Sequence, residues 1–352
     1  MNISSVSTSY LSTALLPSVQ QTQVQLATLE IEAASGQYAD LGLQLGANSG
    51  YEMSLRTQDD ALQALTTANS ITSTNLATAQ SALTALQSSA SSTARSLVTY
   101  TTGDNSAATL QSIGQSQLQQ LISLGNTTTA EGGYVFGGQN TANAPLNNYY
   151  AQPTSNAKSA VDNAFQSYFG FSTTSWQTAN ITATQLQGFL SGPFASEFQP
   201  PRWQLNSSNA SSANMSSQIS PGTSIDTSTS TDGPPFQQLT QGYAMLSEFG
   251  NIGLNAGARQ ALASTAVSVI NTGASSLADS QASLGAAQSQ IAQANNTMSD
   301  QMTLLQTGIG NLDNIDPAKV ATQLSALSTQ LQTAYQLTAQ ISKLNLAQYL
   351  PA

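Results

Sequence analysis

The chain contains no cysteine and no histidine. It therefore has no thiolate nucleophile, no disulfide, no imidazole base and none of the commonest zinc or haem ligands. Charge is almost as scarce, since 7% of the residues are Asp, Glu, Lys or Arg, against about a quarter in ordinary soluble domains. Seven scattered basic residues and seventeen acidic ones leave a net charge of −10. No Lys/Arg stripe is available to neutralise a phosphate backbone, so nucleic acid is not an expected partner. No run of about 18 apolar residues occurs, and membrane insertion is not expected either. The opening Met1-Asn2-Ile3-Ser4-Ser5-Val6-Ser7 lacks the positive region and apolar core of a cleaved signal peptide. Passage out of the cytoplasm would then need a dedicated export machine.

What fills the chain instead is Ser, Thr, Gln, Ala and Asn, arranged in long heptads. Leu55, Leu62, Leu65, Asn69, Thr72, Leu76, Ala79, Leu83, Leu86, Ala90, Thr93, Leu97 and Tyr100 step by threes and fours, which predicts one coiled-coil helix. At about 1.5 Å per residue it would reach roughly 70 Å. A second seam runs from Leu262, Ala266, Val269, Gly273 and Ser276 into Leu277, Ser280, Leu284, Ala287, Ile291, Ala294, Met298, Gln301 and Leu305, with a stutter-like reset between Ser276 and Leu277. Many of these positions are small, so the helices can approach closely while each side chain buries little area.

Both ends repeat the pattern on a smaller scale. Leu15, Val19, Thr22, Leu26, Leu29 and Ala33 form a seam that stops at Ser35-Gly36, a helix C-cap signal. Asp316-Pro317 is a start signal, with Asp as N-cap and Pro at the first helical position. Val320, Leu324, Leu327, Leu331, Ala334, Leu337, Ile341 and Leu344 follow as an apolar stripe. Eleven of the 22 aromatic residues lie between Pro145 and Leu205, which predicts a second hydrophobic core independent of the coiled coil, part helical near 160–169 and richer in strands after Phe171. Tyr134-Val135-Phe136, flanked by paired glycines, reads as a short strand bounded by turns. The stretch from Asn206 to Asp232 is rich in Ser, Thr and Asn and reads as loops or strand and turn, and the helical pattern resumes near Phe236.

The expected fold class is therefore mainly α. An elongated antiparallel coiled-coil bundle is made by the two ends, with a central inserted α+β or β-rich domain. Residues 1–36 and 316–352 are expected to be terminal assembly helices, disordered in the monomer; 37–135 and 236–315 a long-helix rod; 136–235 an aromatic-rich outer domain. Asp59-Asp60 and the Glu30, Glu32 pair have no His, Lys or metal partner and read as helix surface rather than as an acid/base pair. The paired glycines open no GxxxxGK[ST] or GxGxxG motif. No catalytic residue, metal or cofactor is expected, and the chain is read as a structural protein rather than an enzyme.

Specific residues strengthen that reading. The terminal helix ending at Ser35-Gly36, the long helix opening at Leu55-Arg56, Gly133-Tyr134-Val135-Phe136-Gly137-Gly138-Gln139-Asn140-Thr141, Gly233-Pro234-Pro235-Phe236 and Leu284-Gly285-Ala286 form one set. The tail from Leu324 to Tyr335, then Ile341-Ser342-Lys343-Leu344-Asn345-Leu346 and Tyr349-Leu350, forms another. Together they resemble the flagellin superfamily, and within it the hook-associated protein 3 family of hook–filament junction proteins. The aromatic-rich insertion is similar to the alphaproteobacterial version. Gln37-Tyr38-Ala39-Asp40 stands where that family usually carries Arg/Lys-Ile and an Asp-Asp pair. The resemblance implies an extracellular flagellar subunit, exported by the flagellar type III apparatus without a cleaved signal peptide. Its implied partners are other copies of itself, neighbouring hook-associated protein and flagellin subunits, and a cytoplasmic export chaperone. The apolar stripes, Leu15, Val19, Leu26, Leu29, Val320, Leu324, Leu327, Leu331, Leu337, Ile341 and Leu344, are the expected contact residues. A filament flagellin, and a surface adhesin whose insertion holds a glycan, are the alternatives.

Overall fold

The computed structural model describes the backbone of residues 8–100 and 107–347, and the side chains of 16–99 and 107–340. It is mainly α. Helices α1 (Thr8–Ser35), α2 (Leu41–Leu45), α3 (Ser49–Tyr100) and α4 (Ala107–Gly125) lead out; α5 (Asn156–Phe169), α6 (Ala183–Ser191), α7 (Pro193–Ser196) and α8 (Arg202–Asn206) fill the middle. Strands β1 (Ser216–Ser220) and β2 (Thr223–Asp226) form an antiparallel hairpin, and α9 (Pro234–Phe249), α10 (Ala256–Asp313) and α11 (Pro317–Ala347) lead back. The chain divides into two compact units, 1–63 with 299–352, and 64–298.

In the second unit α3 and α10 run antiparallel. Every α3 seam position from Leu76 to Leu97 is buried, and Leu277, Leu284 and Ile291 answer from α10. Asn69 interrupts the apolar seam in a way that fixes its register. Its amide donates to Asn295 Oδ1 on α10 (2.7 Å) and to the Ile219 carbonyl on β1 (2.8 Å), so a buried polar group ties three elements at one height. On the outer faces, hydroxyls turn back on their own helix. Thr72, Thr74, Thr78, Ser81 and Thr84 each donate to the carbonyl four residues earlier.

Helix α9 is the centre of this unit. It starts on Pro234 and Pro235, whose fixed φ suits the first turn, and most of its residues are buried, Thr240 and Ser247 among them. Glycines let its neighbours in. A Cβ on Gly114 of α4 would lie 2.7 Å from Leu246 Cβ, one on Gly242 2.6 Å from Ile270 of α10, and one on Gly273 of α10 2.9 Å from Leu239. The aromatic residues of the insertion close over the end of α9. Phe165 of α5, Phe189 of α6 and Phe194 of α7 sit 5.4 to 5.5 Å from the Phe249 ring. The aromatic core is therefore continuous with the coiled-coil seam rather than independent of it, because α9 presents Phe249 to one and Leu239 to the other.

Local order in the insertion differs from expectation in a second respect. The chain after Phe171 forms short helices before it reaches the hairpin at 216–226. Thr182 and Gln185 make a reciprocal capping box at the start of α6, and Gly192 and Pro193 separate it from α7. Residues 133–141 form turns and isolated bridges rather than a strand. Tyr134 N–H donates to the Thr141 carbonyl (2.9 Å) and Val135 N–H to that of Thr127 (2.9 Å). Phe136 is buried with its ring 5.3 Å from that of Phe236, and the Thr231 N–H donates to its carbonyl (3.0 Å). The segment thus clasps the outgoing chain to the returning one. Its Gly138 has φ +58°, and a Cβ there would lie 2.6 Å from the carbonyl oxygens of Ser211 and Ala213, so only glycine fits.

Candidate assembly surface

The first unit is organised around a corner. Helix α1 ends where Gly36 takes φ +75°, and the Gly36 carbonyl accepts from Ile315 N–H (3.1 Å) while the Asp313 carbonyl accepts from Tyr38 N–H (3.0 Å). Asp316 then caps α11, its Oδ1 accepting from the N–H groups of Ala318 (3.0 Å) and Lys319 (3.2 Å). Arg56 of α3 bonds the fully buried Asp313 and also Glu52 one turn earlier. The Glu52 hydrogen bond, opposed by burial and aided by the Asp313 charge, holds the guanidinium pKa above its ordinary value. The carboxylates set aside as helix surface have local structural roles: Glu32 Oε1 accepts from Ala39 N–H (3.1 Å), and Asp59 accepts from Gln306 (3.4 Å).

Truncating Arg56 to alanine strips Asp313 of its one charged partner, and Asp313 Oδ1 already has no hydrogen-bond partner. Loss of about 1–3 kcal/mol is expected for a buried polar group left unpaired. In the assembled polymer it should be read as faster amide exchange in α1 and α11, with Arg56→Lys intermediate. Unchanged exchange in both helices would show that the corner holds without the ion pair.

From this corner α1 and α11 pack together as an antiparallel pair. Gln23 of α1 donates to the Tyr335 hydroxyl of α11 (2.6 Å), while Leu29 and Leu327 line a shared groove of about 490 Å³ nearer the corner. Of the expected contact residues, Val320 is buried, and Val19, Leu26, Leu29, Leu324, Leu327 and Leu331 are half-buried. Leu337 is exposed. The side chains of Leu15, Ile341 and Leu344, like that of Tyr100 on the α3 seam, lie outside the described residues.

The pair leaves apolar side chains open that the seam reading passed over. Leu16, Val24 and Ile31 are 59–67% exposed, and their spacing of seven to eight residues places them along one face of α1. On α11, Tyr335 lies off the expected stripe and is about half exposed, as is the stripe residue Leu337. A search for a second stripe offset from the first would have found the α1 set. Among the described residues no three His, Cys, Asp or Glu gather as a metal site, and no helix is long and apolar enough to cross a membrane.

Comparison with known proteins agrees with this architecture. Residues 6–141 match the model of the bacterial flagellin N-terminal helical region, and residues 267–350 match that of the bacterial flagellin C-terminal helical region. No curated protein sequence matches the chain. Among solved structures it is similar to a provisionally assigned flagellar hook-associated protein from Vibrio parahaemolyticus, with TM-score 0.53 and 12% identity over 76% of this chain and 97% of that one. A likeness at that identity speaks to fold alone. With both helical regions matched over more than half of its length, the chain belongs to the flagellin superfamily and is a structural, extracellular component of the flagellum.

Proposed function

We propose that the chain is the subunit joining flagellar hook to filament. The observation that carries this reading is the segment 133–141, whose Gly-Tyr-Val-Phe-Gly-Gly run resembles the junction family and whose Phe136 locks onto Phe236 at the start of the returning helix. The fold likeness to a hook-associated protein supports it. In this reading residues 1–36 and 316–352 are disordered before export and order when neighbouring subunits cover their open apolar faces, so that assembly offsets the entropy of ordering. Residues 37–135 and 236–315 form the rod, and 136–235 face outward. The terminal stripes meet an export chaperone in the cytoplasm, and later other copies, a neighbouring hook-associated protein and flagellin. Export runs through the flagellar type III apparatus, and the chain performs no catalysis.

Labelled protein should appear as a narrow band beside the hook, and cells lacking it should shed flagellin into the medium while carrying bare hooks. Label along the whole filament would instead establish the second reading, a flagellin, which the matched terminal regions also support.

A further inference from the structure

In the second unit a cleft of about 290 Å³ lies between α3, the 129–141 turns and the β1–β2 hairpin, at the small end of the range for ligand sites of about 300–1,000 Å³. Four of its hydroxyls are already engaged: Thr72 donates back to the Ala68 carbonyl (3.0 Å), Ser217 and Thr227 bond each other (2.8 Å), and Ser228 accepts from Met215 N–H (2.7 Å). Beside them the side chains of Asn75, Thr129, Glu131, Tyr134 and Thr141 converge from two separate segments. Among the described residues none of the five has a side-chain hydrogen-bond partner, so an amide, three hydroxyls and a carboxylate remain free to bind.

Ala79, Val135, Met215 and the Tyr134 ring supply the apolar part of the wall. A ligand must therefore present an edge rich in donors and acceptors together with a face of C–H groups. Charge narrows the class further. Among the described residues no Lys or Arg lines the cleft and Glu131 is its sole formal charge, so an anion would meet repulsion with no compensating cation.

We propose that this cleft binds one non-anionic hexose unit, its hydroxyls held by Asn75, Thr129, Glu131 and Thr141 and its C–H face laid on Tyr134. The inference is independent of where the subunit sits in the flagellum, since either position leaves the same cleft to be tested.

Saturation-transfer NMR on the full-length protein decides it, with glucose, N-acetylglucosamine and glucosamine as probes and N-acetylneuraminate as the anionic control. Transfer to at least one of the first three and none to the control is expected. Glu131→Gln and Tyr134→Ala should each weaken binding by at least about tenfold. If Tyr134→Ala loses helix content by circular dichroism, the exposed Glu131→Gln and the pair Thr129→Val, Thr141→Val supply the readout. Absence of transfer from all three sugars, equal transfer to N-acetylneuraminate, or binding unchanged in folded variants would overturn the assignment.

Discussion

Leu327→Asp combined with Leu331→Asp is expected to abolish polymerisation while leaving residues 64–298 folded. Both leucines are half-buried on α11, which packs on α1. Full burial of a leucine is worth about 1.5–3 kcal/mol, and half-burial less. The substitution does more than remove that gain, because each carboxylate must either stay hydrated and splay the pair or be desolvated beside apolar neighbours. Once α11 leaves α1, the open face carrying Leu16, Val24 and Ile31 has no rigid backing to present it to a neighbour. Pelleting of polymer seeded with preformed fragments measures assembly, and circular dichroism reports the second unit. Polymer that still forms with both aspartates in place would remove α11 from the assembly surface.

Phe249→Ala should be the most damaging single change in the second unit. The ring is fully buried and touches three others, Phe165, Phe189 and Phe194, from three different helices. Emptying such a site costs about 3–5 kcal/mol, which for a unit of this size lowers the melting temperature by roughly 10 °C. Phe171 provides the comparison. It is half-buried at the edge of the same cluster, 6.1 Å from Phe165 and 5.9 Å from Phe169, and Phe171→Ala should cost clearly less. Equal losses in urea unfolding would mean that the cluster is not centred on α9.

The long helices were legible because a heptad is a repeated signal. The α3 seam from Leu55 to Leu97 lies on the predicted face throughout, and the ends at Ser35-Gly36 and Asp316-Pro317 are the observed ones. Helix α4 was not foreseen. Gly114 and Gly125 both lie in it, and glycine reads as a breaker when its neighbours in space are unknown. The register around Ser276 was only partly readable, since Ile270 and Ala274 are buried beside Gly273 while Val269 is half-buried. With small residues on the seam, size marks the buried face only weakly. The strand expectation after Phe171 failed for a related reason: closely spaced aromatics suit a pleated face, and here the capping box and Pro193 divide them among short helices. The expectation of a separate insertion core failed because α9 serves both sides, a tertiary fact that no local window contains.

At the candidate assembly surface the seams from Val19 to Leu29 and from Val320 to Leu331 were visible as periodicity. The ion pair at the corner was not, since Arg56 and Asp313 are far apart in sequence and brought together only by the antiparallel run of α3 and α10.

The hydroxyls that bond back onto their own helices have one further consequence. A helix clothed in Lys and Glu exchanges counterions with its medium, and its contacts weaken or strengthen as the Debye length shrinks from about 30 Å at 0.01 M to about 3 Å at 1 M salt. The outer face of α3 near Thr72 to Thr84 offers almost nothing for salt to screen, because its polar groups are uncharged and the hydroxyls of Thr72, Thr74, Thr78 and Thr84 bond their own helix. Packing on such a face keeps the same strength from dilute fresh water to brine.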